Sequence, residues 1–131
     1  MPPVVPTGPL VLVVEDDATL REVLVHVLTR AGYRARGAKD GDVALCIMAL
    51  ERPDVVVLDL VMPVQSGWAV RREMLGDPEL RDVPVIVATA VVLSERSLGI
   101  LRVDGALSKP YRHTDLVFAI QRALGGAEAA A

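Results

Sequence analysis

Cysteine is almost missing from this chain of 131 residues: Cys46 stands alone and cannot close an intramolecular disulfide. That fits a reducing cytoplasm and excludes a disulfide-stapled secreted scaffold. Within its apolar helical stretch, Cys46 is expected to be a small buried hydrophobe. Aromatic residues make up only 3% of the chain, too few for a surface on which nucleic-acid bases stack. Basic residues form no block, and the net charge of −3 comes from interspersed signs, so direct DNA reading is not expected. The two histidines, His26 and His113, are not paired at metal-ligand spacing, and His26 is expected to be a packed or surface residue of a helix. No apolar run approaches the roughly 20 residues of a membrane span. The opening MPPVVPTGP lacks the basic and apolar regions of a signal peptide. There is no GxxxxGK[ST] phosphate loop, and no internal repeat beyond the alternation described below.

What is present is the composition of one globular domain, 52% hydrophobic and 24% charged. Residues 1–9 carry four prolines and read as a disordered tail. From Leu10 onward, short β-branched runs alternate with amphipathic stretches. The runs are 10–14, a weak one at 34–37, 55–58, 85–88, and a brief one at Ala106 and Leu107. Between them, Leu20, Val23, Leu24, Val27 and Leu28 repeat at helical spacing and stop at Gly32. Val43, Ile47 and Leu50 mark a second helix, and Ser66 caps a third carrying Val70 and Met74. Trp68 is expected to pack at the start of that third helix. A fourth helix spans 92–101 despite Gly99, and a last one is closed by Gly125 and Gly126, leaving 126–131 as a flexible tail. Five β/α pairs with near-continuous apolar strands imply an α/β fold: a doubly wound parallel sheet buried on both faces by helices. Such folds collect function at the carboxyl ends of the strands.

Glu15, Asp16, Asp59, Thr89 and Lys109 all fall at those ends. Asp59 is the most telling, because an ionisable carboxylate between Leu58 and Leu60 at the end of a buried strand is costly unless its charge is used. Several carboxylates beside one ammonium make a site for a divalent cation and a phosphoryl group. Plainer roles exist: Glu15, Asp16 and Asp17 could cap the following helix, Thr89 could be a loop hydroxyl, and Lys109 a solvated lysine.

LVVEDD at 12–17, VVVLDLVMP at 55–63, VIVATA at 85–90 and SKP at 108–110 stand in order, each at a strand end. Together, with DPELRDVPVIV at 77–87, they make residues 10–125 resemble the receiver domain of bacterial response regulators. The resemblance implies a flavodoxin-like five-stranded sheet of order 2-1-3-4-5 with five helices. It implies that Asp59 is the phospho-acceptor of a two-component phosphorelay and that Glu15 and Asp16 hold Mg2+ with Asp59 and the backbone carbonyl of Val61. Thr89 and Lys109 would receive the phosphoryl group, and the Lys109–Pro110 bond would be cis. The implied role is a cytoplasmic stand-alone response regulator that chemically alters only itself. It would be phosphorylated by a histidine kinase or histidine phosphotransfer protein and would signal to a further protein, with no nucleic acid or membrane contact.

Such chemistry asks mainly for positioning and charge neutralisation. Two carboxylates about 4 Å apart repel by about 4 kcal/mol at an effective dielectric near 20, so a cation is needed. Magnesium suits hard oxygen ligands and keeps several waters. Two departures stand out. Ala106 occupies the place of the family's usual switching aromatic, so the readout is expected to run through repositioning of the fourth helix or through another face. Val61 and Val91 are apolar where water would approach, so a long-lived acyl phosphate is expected. The alternatives are a pseudo-receiver that binds without switching, and an aspartyl-nucleophile phosphohydrolase. The latter would need a second acid where Val61 stands.

Overall fold

The computed structural model describes residues 8–63 and 65–130. The elements are β1 (Leu10–Val14), α1 (Ala18–Arg30), β2 (Arg34–Ala38), α2 (Gly41–Leu50), β3 (Val55–Leu58), α3 (Gly67–Leu75), β4 (Val85–Thr89), α4 (Glu95–Leu101), β5 (Gly105–Ser108) and α5 (His113–Ala130). All strand pairs are parallel, and the sheet order is β2-β1-β3-β4-β5. This is the doubly wound α/β arrangement expected from the alternating runs.

Alternation along the three central strands divides the core in two. Leu12, Val14, Val56, Leu58, Val85 and Val87 pack beneath α2, α3 and α4 with Ala44, Met48, Val70 and Met74. Val11, Val13, Val55, Val57, Ile86 and Ala88 face α1 and α5, meeting Leu24, Leu28, Leu116 and Ile120. Both faces of β1, β3 and β4 are therefore buried, which is why their sequences are apolar without a polar alternation. Each buried valine or leucine stabilises by about 1.5–3 kcal/mol relative to exposure. Trp68 packs half-buried against the first of these clusters.

Side-chain caps start α1, α2, α3 and α4. Asp17, Asp40, Ser66 and Ser94 accept from the N–H of Leu20, Val43, Ala69 and Ser97 respectively, each contributing about 1 kcal/mol. Ser94 therefore moves the start of α4 to Glu95, three residues after the start expected from hydrophobicity; residues 92–94 are spent reaching the cap. At the end of α1, Gly32 has φ +101°, a conformation suited to glycine, so that stop falls where expected. Two aspartates tie strand beginnings together: Asp54 accepts from the N–H of Leu10 at 2.7 Å, and Asp104 from that of Val85 at 2.9 Å.

Other expectations need correction. Cys46 is exposed rather than buried, because α2 turns Ala44, Ile47 and Met48 inward and leaves position 46 on the solvent side. Helix α5 runs through Gly125 and Gly126 to Ala130 instead of stopping at the glycine pair. Of the expected N-terminal tail, residues 1–7 lie outside the described residues, as does Ala131 of the expected C-terminal one. Pro9 already joins the sheet, its carbonyl accepting from the N–H of Arg34 at 3.0 Å. His26 is exposed on α1.

Arg71 is a feature of the fold that no pattern announced. It is 2% exposed on α3. Its Nε donates to the carbonyl of Leu101 at 2.7 Å and its Nη2 to that of Arg102 at 3.0 Å, at the C-terminal end of α4. Arg102 adopts φ +51°, so the chain reverses there and presents both carbonyls to one guanidinium. Burial pulls the Arg71 pKa below its ordinary value, with Asp104 opposing the shift. The cationic end thus sits where helix carbonyls point.

Candidate functional site

Register brings the site together. Val14 pairs with Leu58, so the next residues, Glu15 and Asp59, emerge side by side at the carboxyl edge. Leu58 pairs with Val87, and Thr89 with Ser108, which places Thr89 and Lys109 along the same edge. Backbone bonds continue past the strands: Glu15 N–H donates to the carbonyl of Ala38, Asp59 N–H to that of Val14, and Lys109 N–H to that of Thr89. Glu15, Asp59 and Lys109 are thus each held by the neighbouring strand.

Glu15, Asp59 and Thr89 are buried, at 3%, 5% and 2% exposure. Lys109 Nζ donates to both carboxylate oxygens of Glu15, at 3.0 and 2.9 Å, and to Asp59 Oδ2 at 3.0 Å. The other Asp59 oxygen, Oδ1, accepts from the N–H of Val61 at 3.1 Å. Burial pushes the Glu15 carboxyl above its ordinary pKa, against the pull of Lys109 and with help from the Asp59 charge. Burial also works against the Lys109 ammonium, but its bonds to Glu15 and Asp59 outweigh that and hold its pKa above the ordinary value. Charge-assisted bonds of this length in a water-poor setting are the strong kind.

Asp16 is exposed, yet one carboxylate oxygen from each of Glu15, Asp16 and Asp59 can be chosen so that all lie within 4.8 Å of one another. Three hard oxygen donors at that spacing, one facing solvent, fit a divalent cation that keeps waters. Asp17, the remaining acid of the run, is the cap of α1. Among the described residues, Thr89 Oγ1 accepts only a long bond, 3.4 Å, from the N–H of Val91, which leaves its hydroxyl ready for another partner. Val61 is 57% exposed just past the site. The Lys109–Pro110 bond is cis.

Two further residues shape the site. Gly67 begins α3 directly against the strand end. A Cβ there would collide with the carbonyl oxygen of Asp59 and stand 2.7 Å from Cα of Leu60. The Ser-Gly pair at a helix start was the available sign, but a close approach to Asp59 was not legible from it. Arg21, from the first turn of α1, donates through Nη1 to the carbonyl of Glu15 at 2.9 Å. No signal in the sequence distinguishes it from the other arginines.

With this geometry in place, the comparisons with known proteins are consistent with one another. The family model of the response regulator receiver domain matches residues 11–121. Response regulator MprA of Mycobacterium tuberculosis is 40% identical over 109 residues, 82% of this chain and 46% of MprA. The chain thus spans about half the length of that curated relative. Among solved structures, chemotaxis protein CheY4 of Vibrio cholerae superposes with TM-score 0.84 at 28% identity, over 90% of this chain and 100% of that one. The receiver domain of sensor histidine kinase PA1611 from Pseudomonas aeruginosa superposes with TM-score 0.82 at 29% identity, covering 91% and 99% of the two chains; it carries a magnesium ion in its active-site cleft.

Proposed function

This chain belongs to the response regulator receiver domain family, and from that premise we propose that Asp59 is its phospho-acceptor. Receiver domains are signalling modules of two-component systems, and they work with histidine kinases or phosphotransfer proteins. On this reading an Asp59 carboxylate oxygen attacks the phosphorus of a phosphohistidine donor. The P–N bond breaks, the imidazole leaves with a proton, and Asp59 becomes an acyl phosphate. Lys109 pairs with the phosphoryl oxygens, and the Thr89 hydroxyl donates to one of them. Mg2+ would be held by Glu15, Asp16, Asp59 and the Val61 carbonyl, where it would neutralise charge on the carboxylates and the phosphoryl group.

The observation that carries this reading is Lys109 bridging Glu15 and Asp59 at a single sheet edge. An ammonium already placed among the carboxylates is the countercharge that the transferred group will need. A half-buried hollow beside it, lined by Leu20, Pro110, Tyr111 and His113, offers a donor protein an apolar place to seat. The domain then acts in the cytoplasm through protein–protein contact. Ala106 lies exposed on β5 opposite Val87, and an alanine has no rotamer to switch. The signal therefore leaves through repositioning of α4 or through another face. No described helix is long and apolar enough to cross a membrane.

The test is phosphotransfer from purified histidine kinases and from acetyl phosphate, with Asp59→Asn as the control. Labelling that needs Mg2+ and vanishes in Asp59→Asn is expected. Unchanged labelling in that variant overturns the site assignment. A wild-type protein that none of these donors labels favours a pseudo-receiver, the reading that Ala106 supports. Beryllium fluoride with Mg2+ should shift amide resonances within residues 90–125; no shift there refutes the altered readout.

A further inference from the structure

We propose that Arg21 is the positioning residue of the acidic pair, and that position 37 is glycine so that Arg21 can reach it. This rests on the reading of Glu15 and Asp16 as cation ligands. The backbone of Glu15 is held on both sides: its N–H donates to the carbonyl of Ala38 at 3.0 Å, and its carbonyl accepts from Arg21 Nη1 at 2.9 Å. The same Nη1 lies 3.4 Å from the carbonyl oxygen of Asp16. A single guanidinium thus clasps the peptide groups that aim both acids.

To get there, the stem of Arg21 crosses β2 at Gly37. A Cβ at that position would stand 2.9 Å from both Cγ and Cδ of Arg21, and 3.5 Å from Nε. Glycine is otherwise unexpected there, since it weakens a strand interior and commonly marks a close approach. Backbone conformation does not demand it: Gly32 is the glycine with positive φ among the described residues. The atoms in the way belong to a side chain, so an added methyl group displaces Arg21 and leaves the strand in place. Gly37 pairs with Val13, and Ala38 with Val14, the residue before Glu15. One short piece of β2 therefore supplies both the acceptor for Glu15 and the passage for Arg21.

The sign of the effect separates this role from a purely electrostatic one. A guanidinium acting only as a nearby positive charge would oppose a cation, and its removal would tighten Mg2+ binding. A clasp that aims the ligands works in the other direction, since losing outer-shell support typically weakens metal affinity by about 10–100-fold.

The experiment compares the full chain with Arg21→Ala, Gly37→Ala and the double variant, reading Mg2+ affinity by calorimetry at fixed ionic strength. Amide hydrogen exchange of Glu15 is followed in the metal-free protein, normalised to global stability from urea unfolding. Each single variant should raise the Kd for Mg2+ by about 10-fold and speed exchange at Glu15. The double variant should match Arg21→Ala, because without the long side chain a methyl group at position 37 meets nothing. Unchanged or tighter Mg2+ binding in Arg21→Ala, additive effects in the double variant, or unaltered Glu15 exchange would each overturn the proposal. A wild-type protein that does not bind Mg2+ refutes the receiver chemistry instead, while the exchange comparison still decides whether Arg21 holds Glu15.

Discussion

Replacing Lys109 by methionine keeps the unbranched stem, one atom shorter, and removes the charge between two buried acids. In the metal-free protein, Glu15 and Asp59 would then face each other with side chains only 5% and 6% exposed. Carboxylate oxygens within 4.8 Å of one another repel by at least about 3 kcal/mol at an effective dielectric near 20. Removing one partner of a buried ion pair costs about 3–5 kcal/mol. Because the Lys109 side chain is itself 22% exposed, water screens part of this, and the expected loss at neutral pH is about 2–3 kcal/mol. The pH dependence follows from Glu15, whose carboxyl already lies above its ordinary value of 4.5 through burial and rises further without the ammonium. A carboxyl raised in the folded state keeps its proton after the unfolded chain has lost it, so stability falls as pH rises above the unfolded value. The deficit of Lys109→Met is therefore greatest at neutral pH and shrinks as pH is lowered towards 4.5. Magnesium should act in the opposite sense. With no ammonium occupying the carboxylates, Mg2+ binds more tightly, and its stabilisation grows as RT ln(1 + [Mg2+]/Kd). On the proposed role of Lys109, phosphotransfer to the variant should nevertheless fall, because the phosphoryl group would lose its cationic partner. Urea unfolding in EDTA and in millimolar Mg2+, over a pH series, measures each of these. Wild-type stability in EDTA, or weaker Mg2+ binding, would refute the reasoning.

Three further outcomes are expected. Gly67→Ala should destabilise by at least about 2 kcal/mol, because the methyl group meets the backbone of Asp59 and Leu60; a wild-type urea midpoint would show that the loop can yield. Arg71→Met should cost about 1–3 kcal/mol by leaving the carbonyls of Leu101 and Arg102 unpaired, and it should speed hydrogen exchange selectively across α4. Uniform exchange over the molecule would count against a local fastening. An acyl phosphate formed at Asp59, as proposed, should persist well beyond seconds, since Val61 and Val91, 57% and 40% exposed beside the site, neither orient nor attract water. Val61→Asn should shorten its life, and rapid loss of radiolabel from the wild type would rule the argument out.

Local chemistry made much of this fold legible in advance. The β-branched runs specify strands because they must be buried on both faces, and Asp17 and Ser66 specify helix starts because their oxygens satisfy free N–H groups. Asp59 could be singled out because a carboxylate among Leu58, Leu60 and Val61 has few structural uses. The less legible features depend on neighbours distant in sequence. Cys46 sits in an apolar stretch, but which side of α2 is covered depends on where α3 and the sheet lie. Arg71 looks like any helical arginine until the reversal at Arg102 turns two carbonyls towards it. Glycines 125 and 126 signal a helix stop by propensity, which is a weak local preference, and α5 continues through them.

The order of strands and helices, and the presence of acids, a hydroxyl and a lysine at strand ends, were determined by the sequence alone. They follow from periodicity, capping and the cost of burying charge, all of which act over a few residues. Which of those end residues touch was decided by the tertiary structure. Parallel pairing in one register puts Glu15 beside Asp59 and brings Lys109 between them across 94 residues of sequence. Hydrogen-bonded register, a property of the sheet and not of any strand, turns separate strand ends into one site.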